Sequence, residues 1–119
     1  MSAVETATHR RAPEALRAFA AALFAAAGLE ADKAEVVAAV LVEADLLGHD
    51  THGLASATRY LDEIASGGMA VAGAPGVLSD HGACVAWDGR RLPGPWLVTR
   101  APVGLTRSRG RFRSLVDRA

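Results

Sequence analysis

Glu43-Ala44-Asp45-Leu46-Leu47-Gly48-His49-Asp50-Thr51-His52-Gly53-Leu54 is the stretch on which the fold turns. Its first half ends a helical pattern in which Val36, Val37, Val40, Leu41, Ala44 and Leu47 supply an apolar face. Gly48 stops that helix, because glycine enters the left-handed region beyond a helix C-terminus without steric penalty. Asp50 or Thr51 is then placed to cap a third helix that begins at Gly53 and runs to Ser66, with Leu54, Ala57, Leu61 and Ile64 on its buried side. Two histidines, two aspartates and a threonine thus fall at the junction of two helices.

Upstream, Asp32 and Glu35 form a capping-box-like pair that opens the second helix, predicted over Asp32 to Leu47. A first helix is predicted from Pro13 to Ala27, with Pro13 and Glu14 in its first turn. Leu16, Phe19, Ala20, Leu23, Phe24 and Ala27 form its apolar stripe, and Gly28 followed by Leu29 closes it. Downstream, Gly67-Gly68 ends the helical segment, which occupies residues 12–68. The period then changes. Val77 to Asp80 and Cys84 to Trp87 read as short strands joined at His81-Gly82, followed by a turn at Asp88-Gly89. Pro93-Gly94-Pro95 makes an elbow before a helix at Trp96 to Ala101, so residues 69–101 form a β-rich second part. Residues 1–11 are expected to be flexible and the Arg-rich tail, 102–119, irregular and disordered.

The chain of 119 residues, half of them hydrophobic, suits one small domain or a piece of a larger one. Its formal net charge of zero hides an asymmetry. Arg100, Arg107, Arg109, Arg111, Arg113 and Arg118 crowd the end with Asp117 as the sole acid, leaving an acidic body. That body offers no broad basic field for nucleic acid or an anionic membrane. The Ala-rich stretch from Ala18 to Leu29 is too short to span a bilayer. Cys84 is the only cysteine, which excludes an internal disulfide and fits a reducing cytoplasm.

An imidazole titrates near neutrality and suits proton exchange with a substrate hydroxyl. A histidine at a helix cap is also a common structural hydrogen-bonder, so chemistry alone leaves both roles open. Metal binding is a third reading, since His49 and His52 flank Asp50, but the two straddle a helix boundary with no third or fourth ligand in view, and no metal is expected. Trp87 and Trp96 read as packing residues and His81 as a turn residue. No Gly-x-Gly-x-x-Gly follows a strand, and neither a Walker loop nor a Gly-x-Ser-x-Gly elbow occurs.

Gly28-Leu29, Ala34-Glu35-Val36-Val37-Ala38, Leu41-Val42-Glu43-Ala44-Asp45-Leu46 and Gly48-His49-Asp50-Thr51-His52-Gly53-Leu54 together resemble the opening of the malate/L-lactate dehydrogenase type-2 family, which usually reads ADLRGHDSHGL here. Tyr60, Gly67-Gly68 and Asp88-Gly89 extend the resemblance over residues 13–101. It implies an α+β chain, a three-helix segment followed by short strands, from a fold that binds its nucleotide outside the common Rossmann pattern. It also implies reduction of 2-oxo acids, or of cyclic imino acids in some branches, by NADH or NADPH, in a cytoplasmic protein that is a homodimer at full length. Carried onto this sequence, the family's active-site imidazole is His52 and the neighbouring hydroxyl is Thr51, which helps position substrate. His49 and Gly53 fall where the resemblance expects cofactor contacts. Thr51 replaces the usual Ser and Leu47 the usual Arg. Ser56 stands where many members place a carboxylate-gripping Arg, for which Arg59 is a partial substitute. The family's later His and Lys, and most of its nucleotide-binding domain, have no counterpart before Ala119, and Lys33 is the sole lysine. The expectation is therefore a truncated chain, inactive alone and marginally stable. The competing function is a non-catalytic helical binding or dimerisation module.

Overall fold

A computed structural model describes residues 9–82 and 84–101. The order of elements is α1 (Pro13–Ala26), α2 (Ala31–Leu46), α3 (Ala57–Ser66), β1 (Gly76–Asp80), β2 (Val85–Asp88) and a last helix, α4, at 94–101. The chain is α+β, with every described strand after Gly67. The tail at 102–119 and the first eight residues lie outside the described residues, and so do the expectations placed on them.

Pro13 sits in the first turn of α1, where its missing N–H is no loss. Beyond Ala26, Gly28 takes φ +113° and the Leu29 amide donates to the Phe24 carbonyl at 3.1 Å, which turns Leu29 into the core. The stripe on α1 is narrower than its spacing predicts: Ala20 and Phe24 are buried, but Phe19 is 66% exposed and Ala27 is exposed too.

α2 begins one residue earlier than predicted, and Asp32 caps nothing. Glu30 occupies the cap position, and its side chain is committed elsewhere, accepting from Lys33 Nζ at 2.8 Å and from the Gly73 amide at 3.1 Å. The buried stripe of α2 is also rotated from the predicted one. Ala34, Val37, Ala38 and Leu41 enter the core with Ala20, Phe24 and Leu29, whereas Leu47 is 67% exposed. Alanines at the contact let two helices approach closely, and their short side chains make them invisible to a reading weighted by large apolar residues.

The predicted third helix is broken. Two short 3₁₀ turns, Asp50–His52 and Leu54–Ser56, precede α3. The cause is Gly53, whose extended backbone (φ −93°, ψ −153°) interrupts the helical run. Leu54, Ala57, Tyr60, Leu61 and Ile64 still pack on the core as expected, each partly buried. The Tyr60 ring meets Phe24 edge-on, with centroids 6.1 Å apart.

β1 and β2 pair antiparallel, with Val77 opposite Trp87, Ser79 opposite Ala86 and an irregularity at Leu78. The His81 amide donates to the Cys84 carbonyl at 2.9 Å across the predicted turn. After β2, Gly89–Leu92 forms a tight turn in which Arg90 and Arg91 both have positive φ, +51° and +61°. Such a left-handed pair is the type I′ geometry that Asn-Gly usually supplies, and each arginine there costs about 1–2 kcal/mol. α4 starts two residues before Trp96, because the Pro93 carbonyl accepts from the Leu97 amide at 3.1 Å and Pro95 fits the first turn. Leu92, Pro93 and Trp96 are buried.

Candidate functional site

The junction of α2 and α3 is held by backbone geometry. Gly48, at φ +81°, lets the His49 amide donate back to the Ala44 carbonyl at 2.8 Å. His52 donates its amide to the His49 carbonyl at 2.9 Å, and the Ser56 hydroxyl donates to the Thr51 carbonyl at 2.9 Å. Asp45 completes the joint: its Oδ2 accepts from the Leu54 amide at 3.0 Å, satisfying a donor at the start of the second 3₁₀ turn. Gly53 is buried against that carboxylate, and a β-carbon there would overlap it.

His49 and His52 are exposed and line one open groove of about 510 Å³ with Val40, Glu43, Ala44 and Leu47. The groove pairs an apolar floor with a rim of two imidazoles and a carboxylate. That arrangement fits a flat ring or a short carbon skeleton against the floor, with proton donors beside it. It holds no lysine, arginine or glycine-rich loop that would grip a pyrophosphate. Among the described residues, no group of three His, Cys, Asp or Glu side chains gathers to hold a metal ion.

The other predicted site residues are distributed differently. Thr51 is exposed beside His52 but is not part of the groove wall. Arg59 does not join His52; it faces a separate cleft on α3 with Tyr60, Glu63, Met69, Arg91 and Leu92. Gly53 has the structural employment already given, against Asp45.

Two participants escaped the sequence reading. Asp45 lies within the informative stretch, but helical periodicity gave no signal that it reaches over to Leu54. Lys33 is 1% exposed; its Nζ sits 2.8 Å from Glu30 Oε2, 3.8 Å from Asp32 Oδ2 and 4.3 Å from the centroid of the Trp96 ring. It ties α4 to the start of α2. Its singularity in the sequence was the one available signal. No helix among the described residues is long and apolar enough to cross a membrane.

Comparison with known proteins identifies relatives of the fold. The sequence profile of the malate/L-lactate dehydrogenase family matches residues 12–105. Hydroxycarboxylate dehydrogenase B of Escherichia coli is 33% identical over 86 residues, which are 72% of this chain and 24% of that protein. The fold superposes on malate dehydrogenase from Pyrococcus horikoshii OT3 with a TM-score of 0.76 at 28% identity, covering 84% of this chain and 29% of that one. A dehydrogenase from Sinorhizobium meliloti gives 0.78 at 28% identity, covering 84% of this chain and 31% of that one. The chain thus spans about a quarter of the length of the curated relatives it matches.

Proposed function

The chain belongs to the malate/L-lactate dehydrogenase family, and from that premise we propose that it carries the proton-handling wall of an oxidoreductase site acting on a 2-oxo or 2-hydroxy acid with NADH or NADPH. The observation that supports this reading is the groove in which His52 and His49 stand over an apolar floor of Val40, Ala44 and Leu47. A bound nicotinamide supplies the hydride. The chain's own part is to meet the charge that follows. As hydride reaches the carbonyl carbon, negative charge develops on the oxygen, and the His52 imidazole donates its proton there; in the reverse direction it takes the hydroxyl proton back. Thr51, exposed next to His52 but outside the groove wall, would orient the part of the substrate that extends beyond the groove, while the groove floor keeps water from one face of the reacting carbon. His49, on the same rim, would meet the cofactor when it is bound.

The test is a chimera in which the matching stretch of this chain replaces that of the Escherichia coli hydroxycarboxylate dehydrogenase. Nicotinamide turnover is measured with a panel of 2-hydroxy and 2-oxo acids. His52→Ala is expected to lower kcat by about 100-fold or more, in the range for loss of a general acid, and His49→Ala by far less. Equal losses would assign both histidines a shared structural role. A chimera that folds without turnover would favour a helical binding module.

A further inference from the structure

A second cavity, on the face of α3 that carries Arg59, is not used by the reading above. It measures about 390 Å³ and is lined by Arg59 and Glu63 of α3, Met69 and the turn residues Arg91 and Leu92. Its base is well braced. The Arg91 carbonyl accepts from the Ala70 amide at 2.9 Å, and the Met69 amide donates to the Glu63 carbonyl at 3.1 Å. Leu92 is buried beneath. The Arg59 guanidinium lies 5.8 Å from the centroid of the Tyr60 ring, and that ring is itself fixed edge-on to Phe24. Among the described residues, no carboxylate forms an ion pair with Arg59 or Arg91.

The turn that delivers Arg91 is unusual. Arg90 and Arg91 both sit in the left-handed region, where glycine or asparagine would be unstrained. A side chain kept in such a conformation, with its charge facing a cleft and unpaired, has a physical reason if the charge is used there.

We propose that this cleft is a second ligand site, and that it takes a phosphoryl group on the guanidiniums of Arg59 and Arg91. Two unpaired guanidiniums in one cleft leave an excess of positive charge over the single Glu63 carboxylate. A monocarboxylate presents only two oxygens and one charge to the two forks. A phosphoryl dianion has a third oxygen and a second charge, and so engages both forks. The source is either free phosphate or the phosphate of a dinucleotide. The site is separate from the His52 groove, so its occupancy does not depend on proton transfer there.

The experiment is a titration of the full chain with inorganic pyrophosphate at low ionic strength, followed by calorimetry and by the rise in Tm. Saturable binding is expected in the unsubstituted protein. Arg59→Gln and Arg91→Gly should each weaken it about tenfold or more, as loss of a charge-assisted hydrogen bond does. Arg91→Gly should at the same time raise the Tm of the ligand-free protein, because glycine relieves the positive φ. Arg90→Gln, outside the cleft, should leave affinity unchanged. Competition separates the two sources: NADH that displaces pyrophosphate identifies a dinucleotide phosphate, and pyrophosphate that binds undisturbed identifies a free one. His52→Ala should leave pyrophosphate binding intact, so failure of the catalytic reading does not touch this one. Absence of saturable binding, or equal weakening by Arg90→Gln, overturns the proposal.

Discussion

Gly53 and Asp45 illustrate what a single position carries at this site. The motif resemblance points to Gly53 as a cofactor contact, while the fold gives it a place under the Asp45 carboxylate. Gly53→Ala is expected to destabilise the chain by about 1–3 kcal/mol, the usual range for overpacking, as read by urea denaturation. Asp45→Ala should cost about 1 kcal/mol through loss of the acceptor for the Leu54 amide. The two losses should not add, because removing the carboxylate makes room for the methyl group that Gly53→Ala introduces; strictly additive values would place the clash elsewhere. Lys33 gives the second residue-scale case. Its ammonium is buried against Trp96, while its partner Glu30 retains 44% of its side-chain exposure. Lys33→Ala is expected to cost about 2 kcal/mol, mostly from the desolvated cation–π contact and the lost stem packing. Lys33→Met, which keeps the stem, should cost less. Both are measured by chemical denaturation followed through tryptophan fluorescence, and equal losses would mean that the charge contributes most of the effect.

At the level of elements, punctuation was more legible than faces. Gly28, Gly48 and Gly67 all end helices where the sequence places them, because a positive φ is a local backbone requirement that one residue type satisfies cheaply. The paired strands and the turn at His81-Gly82 were legible for the same reason. Which apolar residues turn inward is not local. Phe19 and Phe24 belong to the same predicted stripe, yet Phe24 is fully buried and Phe19 is 66% exposed, because Ala20 and Phe24 are the α1 residues that enter the core shared with α2. Phe24→Ala is accordingly expected to cost about 3–5 kcal/mol and Phe19→Ala less than about 0.5 kcal/mol. Similar losses in urea melts would mean that both rings are packed in solution. The break in the third helix was illegible because it sits at Gly53, whose extended backbone no propensity encodes, with Asp45 reaching across to the Leu54 amide beside it. Of the candidate site, the grouping of His49 with His52 was legible; the separation of Arg59 from them was not, since it depends on how α3 emerges from that break.

For the molecule as a whole, the exposed apolar side chains decide behaviour in solution. Phe19 on α1, Leu46 and Leu47 at the end of α2, Val77 and Leu78 on β1 and Val98 on α4 are each at least 60% exposed. Single exposed hydrophobics are ordinary, but Leu47 belongs to the apolar floor of the His52 groove, and Leu46 precedes it in the chain. Covering a few hundred Å² of such surface yields several kcal/mol at about 25 cal/mol per Å². Association costs a comparable amount in lost freedom, roughly 4–15 kcal/mol. The balance favours weak self-association that grows with concentration. Leu47 is the position to test, because the family's usual residue there is Arg, and nothing in the fold requires a leucine whose side chain is 67% exposed. Leu47→Arg is expected to leave the melting temperature within a few degrees, as surface substitutions do, while flattening the rise of the weight-average sedimentation coefficient with concentration. A coefficient independent of concentration in the unsubstituted chain would show that the patch is too small to drive association. A steep rise unchanged by Leu47→Arg would move the contact to the β1 face, where Val77→Lys and Leu78→Lys become the variants that abolish it.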